Sequence, residues 1–192
     1  MKKLRFGIDI DGTVTSPSAF IPYLNESFRL NITLEDIKEY DLYPLVNVPK
    51  KEFDQWFIEN EPKIYTASPL AEGASIVLQK WAKEFELYFI SARGAHLLEI
   101  TKEWFTTNGL IFDHIDLIGT HDKISAAKKY EVDLFFEDKH DNAVMINETC
   151  GIPVLLFDTP YNREAIPEGV IRVTNWNEAY GWVNKWAKSV TR

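Results

Sequence analysis

With 192 residues, 45% of them hydrophobic and 14% aromatic, the chain can bury one full core and still carry a modest insertion. A formal net charge of −8 with no run of Lys or Arg excludes a long nucleic acid as partner, because duplex binding rests on neutralised phosphates. The apolar stretches are short and Asp9 and Asp11 interrupt the one that follows the basic start, so neither a secretion signal nor a membrane span is expected; the lone Cys150 rules out an intrachain disulfide, and a cytoplasmic location fits.

Residues 4–10 form a short apolar run ending in Asp-Ile-Asp-Gly-Thr, which reads as a buried strand delivering polar groups at its C-terminal end. Asp9 and Asp11 face one ligand only if the chain turns after Ile10, and Gly12 makes that turn easy. Two carboxylates in one cleft raise each other's pKa, and a hard divalent cation keeps one ionised; the alternative is two acids decorating a loop.

Residues 15–68 offer helical patterns and no clear strand, with Phe20, Tyr23, Phe28, Phe53, Trp56, Phe57 and Tyr65 among them, which predicts a helical insertion. Any of these aromatics either stacks on a nucleobase or packs the insertion itself. Pro62 and Pro69 flank Tyr65 and Gly73 follows, marking a constrained return to the core.

Beyond the insertion, strand runs at 87–90, 115–118, 133–136, Val154–Phe157 and Val170–Val173 alternate with helical spacings at 71–84, 95–108, 123–130 and 142–149. That alternation predicts a parallel sheet covered on both faces, with the ligand outside the carboxyl ends of the strands. A terminal amphipathic helix over 175–188 packs Trp176, Ala179, Tyr180, Val183 and Trp186 against the sheet.

Three of these strand ends carry chemistry. Phe89-Ile90-Ser91-Ala92-Arg93-Gly94 brings a hydroxyl and backbone N–H groups to a helix start, either an anion cradle or an ordinary Ser N-cap. Arg93 either clamps a substrate oxygen or pairs with a neighbouring acid. Lys123 opens a helix from which it can neutralise a phosphate, and the 133–136 strand ends in Glu137 and Asp138, with Asp141 where a helix begins. Side by side, the first strand and this one place Asp138 opposite Asp9, with oxygens for an octahedral Mg²⁺; Glu137 and Asp141 then orient ligands and waters from outside the coordination sphere. His96, His114, His121 and His140 lack metal-site spacing, and Cys150 reads as a buried thiol before a strand.

Asp9-Ile-Asp11-Gly-Thr13, Ser91, Lys123 and Glu137-Asp138, in this order and on these strand ends, resemble the haloacid dehalogenase superfamily over nearly the whole chain, and the layout is similar to the 5'(3')-deoxyribonucleotidase group. The resemblance implies a Rossmann-like three-layer α/β/α core (residues 1–14 and 72–192) with a small helical cap (15–71) after the first strand. It implies Asp9 as nucleophile, Asp11 as general acid and base, Ser91, Ala92 and Lys123 as phosphate-binding groups, and Mg²⁺ on Asp9, Asp138 and the Asp11 carbonyl, with Thr13, Glu137 and Asp141 in support. Glu137 stands where the group often has an aspartate. Arg93, Phe20 and Tyr65 are candidate substrate contacts. The implied partner is a small phosphorylated metabolite, a nucleoside monophosphate, with homodimerisation left open; the alternatives are a sugar-phosphate phosphatase, a phosphotransferase and a non-catalytic phosphate-binding module.

Overall fold

The computed structural model describes residues 3–120 and 122–190, so His121 lies outside the described residues. Six parallel strands form one sheet: β1 (Arg5–Ile8), β2 (Glu86–Ser91), β3 (His114–Leu117), β4 (Leu134–Glu137), β5 (Val154–Phe157) and β6 (Val170–Val173), in the order β3-β2-β1-β4-β5-β6. The order reverses at β1, so β1 lies between β2 and β4 and their carboxyl ends open into one crevice.

Side-chain alternation sorts the strands onto two cores. Phe6, Ile8, Leu134, Phe136 and Leu155 face one layer, packed under α3 (Ala74–Glu84), α4 (Leu98–Thr107) and α7 (Trp176–Val190). Phe135, Val154 and Leu156 face the other, under α5 (Lys123–Lys129) and α6 (His140–Cys150). Gly7 is what lets Phe135 fit: a Cβ there would lie 2.5 Å from its ring. The three-layer α/β/α arrangement expected from the sequence is therefore present, with Cys150 half-buried at the end of α6. Among the described residues no helix is long and apolar enough to cross a membrane.

Between β1 and α3 the chain leaves the sheet to form α1 (Ile21–Phe28), two short 3-10 turns and α2 (Lys50–Ala67). This excursion has its own apolar cluster around Leu24, Val46 and Phe53, with Phe28 and Trp56 packed against it. It departs and returns through one neck: Thr15 bridges Leu70, Ser16 N donates to Pro69 O, and Ala71 N donates to Val14 O, both at 2.8 Å. Pro62 is not part of the constrained return to the core that Pro62, Pro69 and Gly73 suggested in the sequence. It sits inside α2, where it forfeits only the bond to the carbonyl of exposed Ile58, while Ile64 and Tyr65 beyond it are buried.

Candidate active site

The end of β1 fixes the floor. Asp9 N donates to Phe136 O at 2.9 Å, tying the first acid to β4, and the chain then turns through Gly12 at φ +77°. A Cβ at Gly12 would lie 2.1 Å from Asp138 Oδ2, so glycine is needed both for the turn and for the close approach of the two acidic strand ends. One carboxylate oxygen each from Asp9, Glu137 and Asp138 lies within 4.8 Å of the others, and all three residues are buried.

Lys123, the first residue of α5, enters this acidic group from the opposite layer. Its Nζ lies 2.5 Å from Asp9 Oδ1 and 2.7 Å from Glu137 Oε1. Burial works against the ammonium, yet Asp9 and Glu137 outweigh it and hold Lys123 above the ordinary lysine value. For Glu137, too, burial opposes the charge, but Lys123, Asn142 and the backbone N–H of Lys139 together keep its carboxyl below the usual range. Both Glu137 oxygens are committed: Oε1 accepts from Lys123 and from Asn142 Nδ2 (2.7 Å), and Oε2 accepts from the N–H of Asp138 (2.8 Å) and of Lys139 (3.1 Å). The extra methylene turns this carboxylate back onto its own loop, where it orients Asp138.

Asp9 and Asp138 fare differently. Burial, opposed by Lys123 and reinforced by Glu137 and Asp11, raises Asp9 to about 7. Burial and then the charges of Glu137 and Asp9 push Asp138 well above the carboxylate range. Asp138 Oδ2 accepts from Tyr161 Oη at 2.6 Å, but its Oδ1, though buried, has no hydrogen-bond partner among the described residues. Asp9 and Asp138, crowded together beside Glu137 with one orphaned carboxylate oxygen on Asp138, are a donor set that a hard divalent cation completes, so the residues present fit Mg²⁺.

Asp11 sits at the mouth with its side chain 24% exposed. Arg93 grips it with both forks, Nε to Oδ2 at 2.9 Å and Nη2 to Oδ1 at 2.7 Å, so the pairing alternative for Arg93 holds here. The guanidinium is itself fixed by Thr101 Oγ1 (3.0 Å) and lies 3.9 Å from the Tyr65 ring centroid. Ser91 is buried at the end of β2, where its Oγ accepts from Arg93 N at 3.2 Å; it caps no helix, since α4 begins only after the turn at Ala95–Leu97. Thr13 is buried with Oγ1 unpartnered among the described residues, and its carbonyl accepts from Trp176 Nε1.

Asp141 is the correction. Its side chain is 77% exposed and pairs with His140, outside the floor. Its place in the first turn of α6 suits an acid facing a helix N-terminus, which is the physical reason for an acid there. The next residue, Asn142, does the work expected of Asp141 by reaching Glu137. The other unanticipated groups follow β5: Asn162 Nδ2 donates to Asp138 O (2.6 Å) and Phe157 O (2.7 Å), and Tyr161 holds Asp138 Oδ2. Thr-Pro-Tyr-Asn after an apolar strand was the available signal, at a strand end to which no chemistry had been assigned. The described histidines, His96, His114 and His140, join no metal-ligand group.

Above the floor opens a cavity of about 470 Å³, lined by Asp11, Gly12, Ala92, Arg93, Asp138 and Tyr161 from the sheet side and by Phe20, Phe53, Phe57, Tyr65, Glu61 and Tyr40 from the excursion. Phe20 stacks on Phe57 at 5.5 Å and meets Tyr65 edge-on at 5.8 Å, so the two aromatic substrate candidates, Phe20 and Tyr65, form one wall.

Comparison with known proteins agrees with this geometry. The profile of the "5' nucleotidase, deoxy (Pyrimidine), cytosolic type C protein" family matches residues 3–189. The chain is 52% identical over 187 residues to "Putative nucleotidase BH1399" of Halalkalibacterium halodurans, covering 97% of this chain and 96% of the relative. It is 32% identical over 185 residues to "Nucleotidase CA_C3379" of Clostridium acetobutylicum, covering 96% of each. Its fold superposes with a TM-score of 0.64, at 14% identity and over 96% of this chain and 100% of the other, on the "putative HAD-hydrolase YfnB from Bacillus subtilis", solved bound to magnesium. The chain therefore belongs to the cytosolic type C 5' nucleotidase family and is a phosphoric monoester hydrolase.

Proposed function

We propose that the protein is a Mg²⁺-dependent phosphatase that hydrolyses nucleoside monophosphates through a phosphoaspartate on Asp9, working in the cytoplasm. The observation that carries the reading is the convergence of Asp9 and Asp138 from adjacent strands with Lys123 beside them and one carboxylate oxygen of Asp138 unpartnered. Asp9, Asp138 and the Asp11 carbonyl would hold the ion, whose charge offsets the crowded carboxylates and the incoming phosphate when bound. The magnesium-bound structural relative and the nucleotidase relatives support the metal and the substrate.

The chain's own groups divide the remaining work. Asp9 attacks phosphorus while Lys123 and the backbone after Ser91, at Ala92, neutralise the transferring oxygens. Asp11, at the cavity mouth, protonates the leaving alcohol and then takes a proton from the water that cleaves the phosphoaspartate, since its role reverses between the two steps. Residues 15–71 act as a cap on the neck at Thr15 and Leu70 and close the cavity against bulk water, with residues 1–14 and 72–192 as the catalytic core. Incubation of the purified protein with 4-nitrophenyl phosphate and Mg²⁺ tests the reading: turnover should require the metal and fall at least about 10³-fold in Asp9→Asn. Full turnover in that variant overturns it.

A further inference from the structure

The cavity wall contributed by α2 carries one residue that neither the phosphoryl chemistry nor the packing of the excursion accounts for. Phe53, Phe57, Glu61 and Tyr65 follow one another at intervals of four, so they form a single ladder along one face of the helix, and all four line the cavity. Three rungs are aromatic. The fourth is a carboxylate, buried to 8% exposure between Phe57 and Tyr65, where a helix built only to pack would carry another apolar side chain. Departure from a local rule at one position of a regular pattern marks function more often than fold.

Only half of that carboxylate is used. Glu61 Oε1 meets His96 Nε2 at 3.0 Å, a contact that ties α2 to the segment after β2, whereas Oε2 makes no hydrogen bond among the described residues. Tyr65, the next rung, packs on the guanidinium of Arg93, which in turn holds Asp11. One helical turn, about 5.4 Å, therefore separates Glu61 from the rung beside the proposed acid and base. The neighbours of Glu61, Tyr65 on the same helix and His96 on the segment after Ser91, flank the phosphate side of the cavity, so this acceptor meets the part of the substrate next to the scissile ester.

We infer that Glu61 is a specificity-determining residue that accepts a hydrogen bond from a hydroxyl on the leaving-group side of the substrate, close to the phosphate. The inference rests on the phosphatase reading above and narrows its substrate class. It selects monoesters whose carbon skeleton bears a free hydroxyl near the ester, as a sugar ring does, over esters with an apolar group there. It also disfavours a second anion at that height, because a buried carboxylate repels it.

The test compares substrates within one protein, so that folding and metal loading cancel. Initial rates with Mg²⁺ are measured for a 2'-deoxynucleoside 5'-monophosphate and for the matching 2',3'-dideoxynucleoside 5'-monophosphate, in the unmodified protein, Glu61→Gln and Glu61→Met. The unmodified protein should favour the hydroxyl-bearing ester by roughly 10- to 100-fold in kcat/KM, the range set by one hydrogen bond to a charged acceptor, mainly through KM. Glu61→Met should bring the ratio close to one, and Glu61→Gln, which keeps an acceptor oxygen, should fall between. A ratio near one in the unmodified protein, or a ratio unaltered in Glu61→Met, overturns the inference; a carboxylate that served only to anchor His96 would leave the ratio untouched. Absence of any Mg²⁺-dependent hydrolysis of 4-nitrophenyl phosphate by the unmodified protein would instead remove the phosphatase reading itself.

Discussion

The floor and the wall of the cavity are built by different rules. On the floor Asp9, Glu137, Asp138 and Lys123 each stand within one residue of a strand end or at the first residue of a helix, and the sheet register leaves them little freedom: Asp9 is pinned through Phe136, Glu137 through four donors, and Lys123 between two acids. The wall has its own small apolar cluster, a two-segment neck and a seat of α2 against α4, and its polar contacts to the floor side come through side chains, such as Glu61 with His96 and Lys139 over the Tyr40 ring. The floor thus suits chemistry that must not change, and the wall suits a ligand that can. The contrast predicts that floor substitutions damage stability and catalysis together, whereas wall substitutions shift substrate preference.

The sharpest break comes from Lys123→Met. It removes the one ammonium among three buried carboxylates, and breaking a buried pair from one side costs about 3–5 kcal/mol because a charge is left uncompensated. Urea denaturation without metal should register that loss, and added Mg²⁺ should recover part of it. A variant as stable as the parent would mean that the floor is not the tight charge network described. Next in size is Asp11→Asn, which keeps the shape at the mouth but removes the proton carrier. Turnover of alkyl monoesters should drop about 10²- to 10⁴-fold, and 4-nitrophenyl phosphate, whose leaving group needs less protonation, should suffer less. Equal losses for the two esters would deny Asp11 the acid role.

The floor was the more legible half of the molecule for the same reason that it is the more rigid. Strands announce themselves by short apolar runs, and the acids at their ends inherit a position from the sheet, so Asp9, Asp138 and Lys123 were readable as one site, whereas the reversal of strand order at β1 came from the structure. What stayed hidden depended on side-chain direction. Asp141 and Asn142 are adjacent, but successive residues in a first helical turn point about 100° apart, so one reaches Glu137 and the other solvent. Tyr161 and Asn162 come from a loop 23 and 24 residues beyond Asp138, a closure no periodicity encodes. The wall aromatics were visible as a set, but which of them face the cavity follows from the course of α2 through Pro62, where the sequence suggested the constrained return to the core.

A smaller effect links the metal to pH. Asp9 is raised from an ordinary value of 3.8 to about 7 in the folded, metal-free protein, so folding favours its protonated form. The stabilisation from that group is fully present below about 3.8 and is lost as pH rises through about 7. Mg²⁺ needs the carboxylate, so its binding should expel a proton below pH 7 and weaken as the medium is acidified. Calorimetric titration in buffers of different ionisation enthalpy reads both. Proton release that stays at zero between pH 5 and 8 would show that Asp9 is already ionised without metal.

The smallest expected effect tests the boundary of the floor. If Asp141 belonged to it, Asp141→Asn would disturb Asp138 and Mg²⁺ affinity; with its side chain 77% exposed and paired only with His140 among the described residues, the substitution should change stability by no more than about 0.5 kcal/mol and leave metal affinity where it was. The neighbouring Asn142→Leu supplies the contrast, because it strips a donor from buried Glu137 and should cost about 1–3 kcal/mol while loosening the carboxylate that orients Asp138 through its backbone N–H. A large loss in Asp141→Asn with a small one in Asn142→Leu would reverse the assignment of these adjacent residues and extend the floor onto the solvent side of α6.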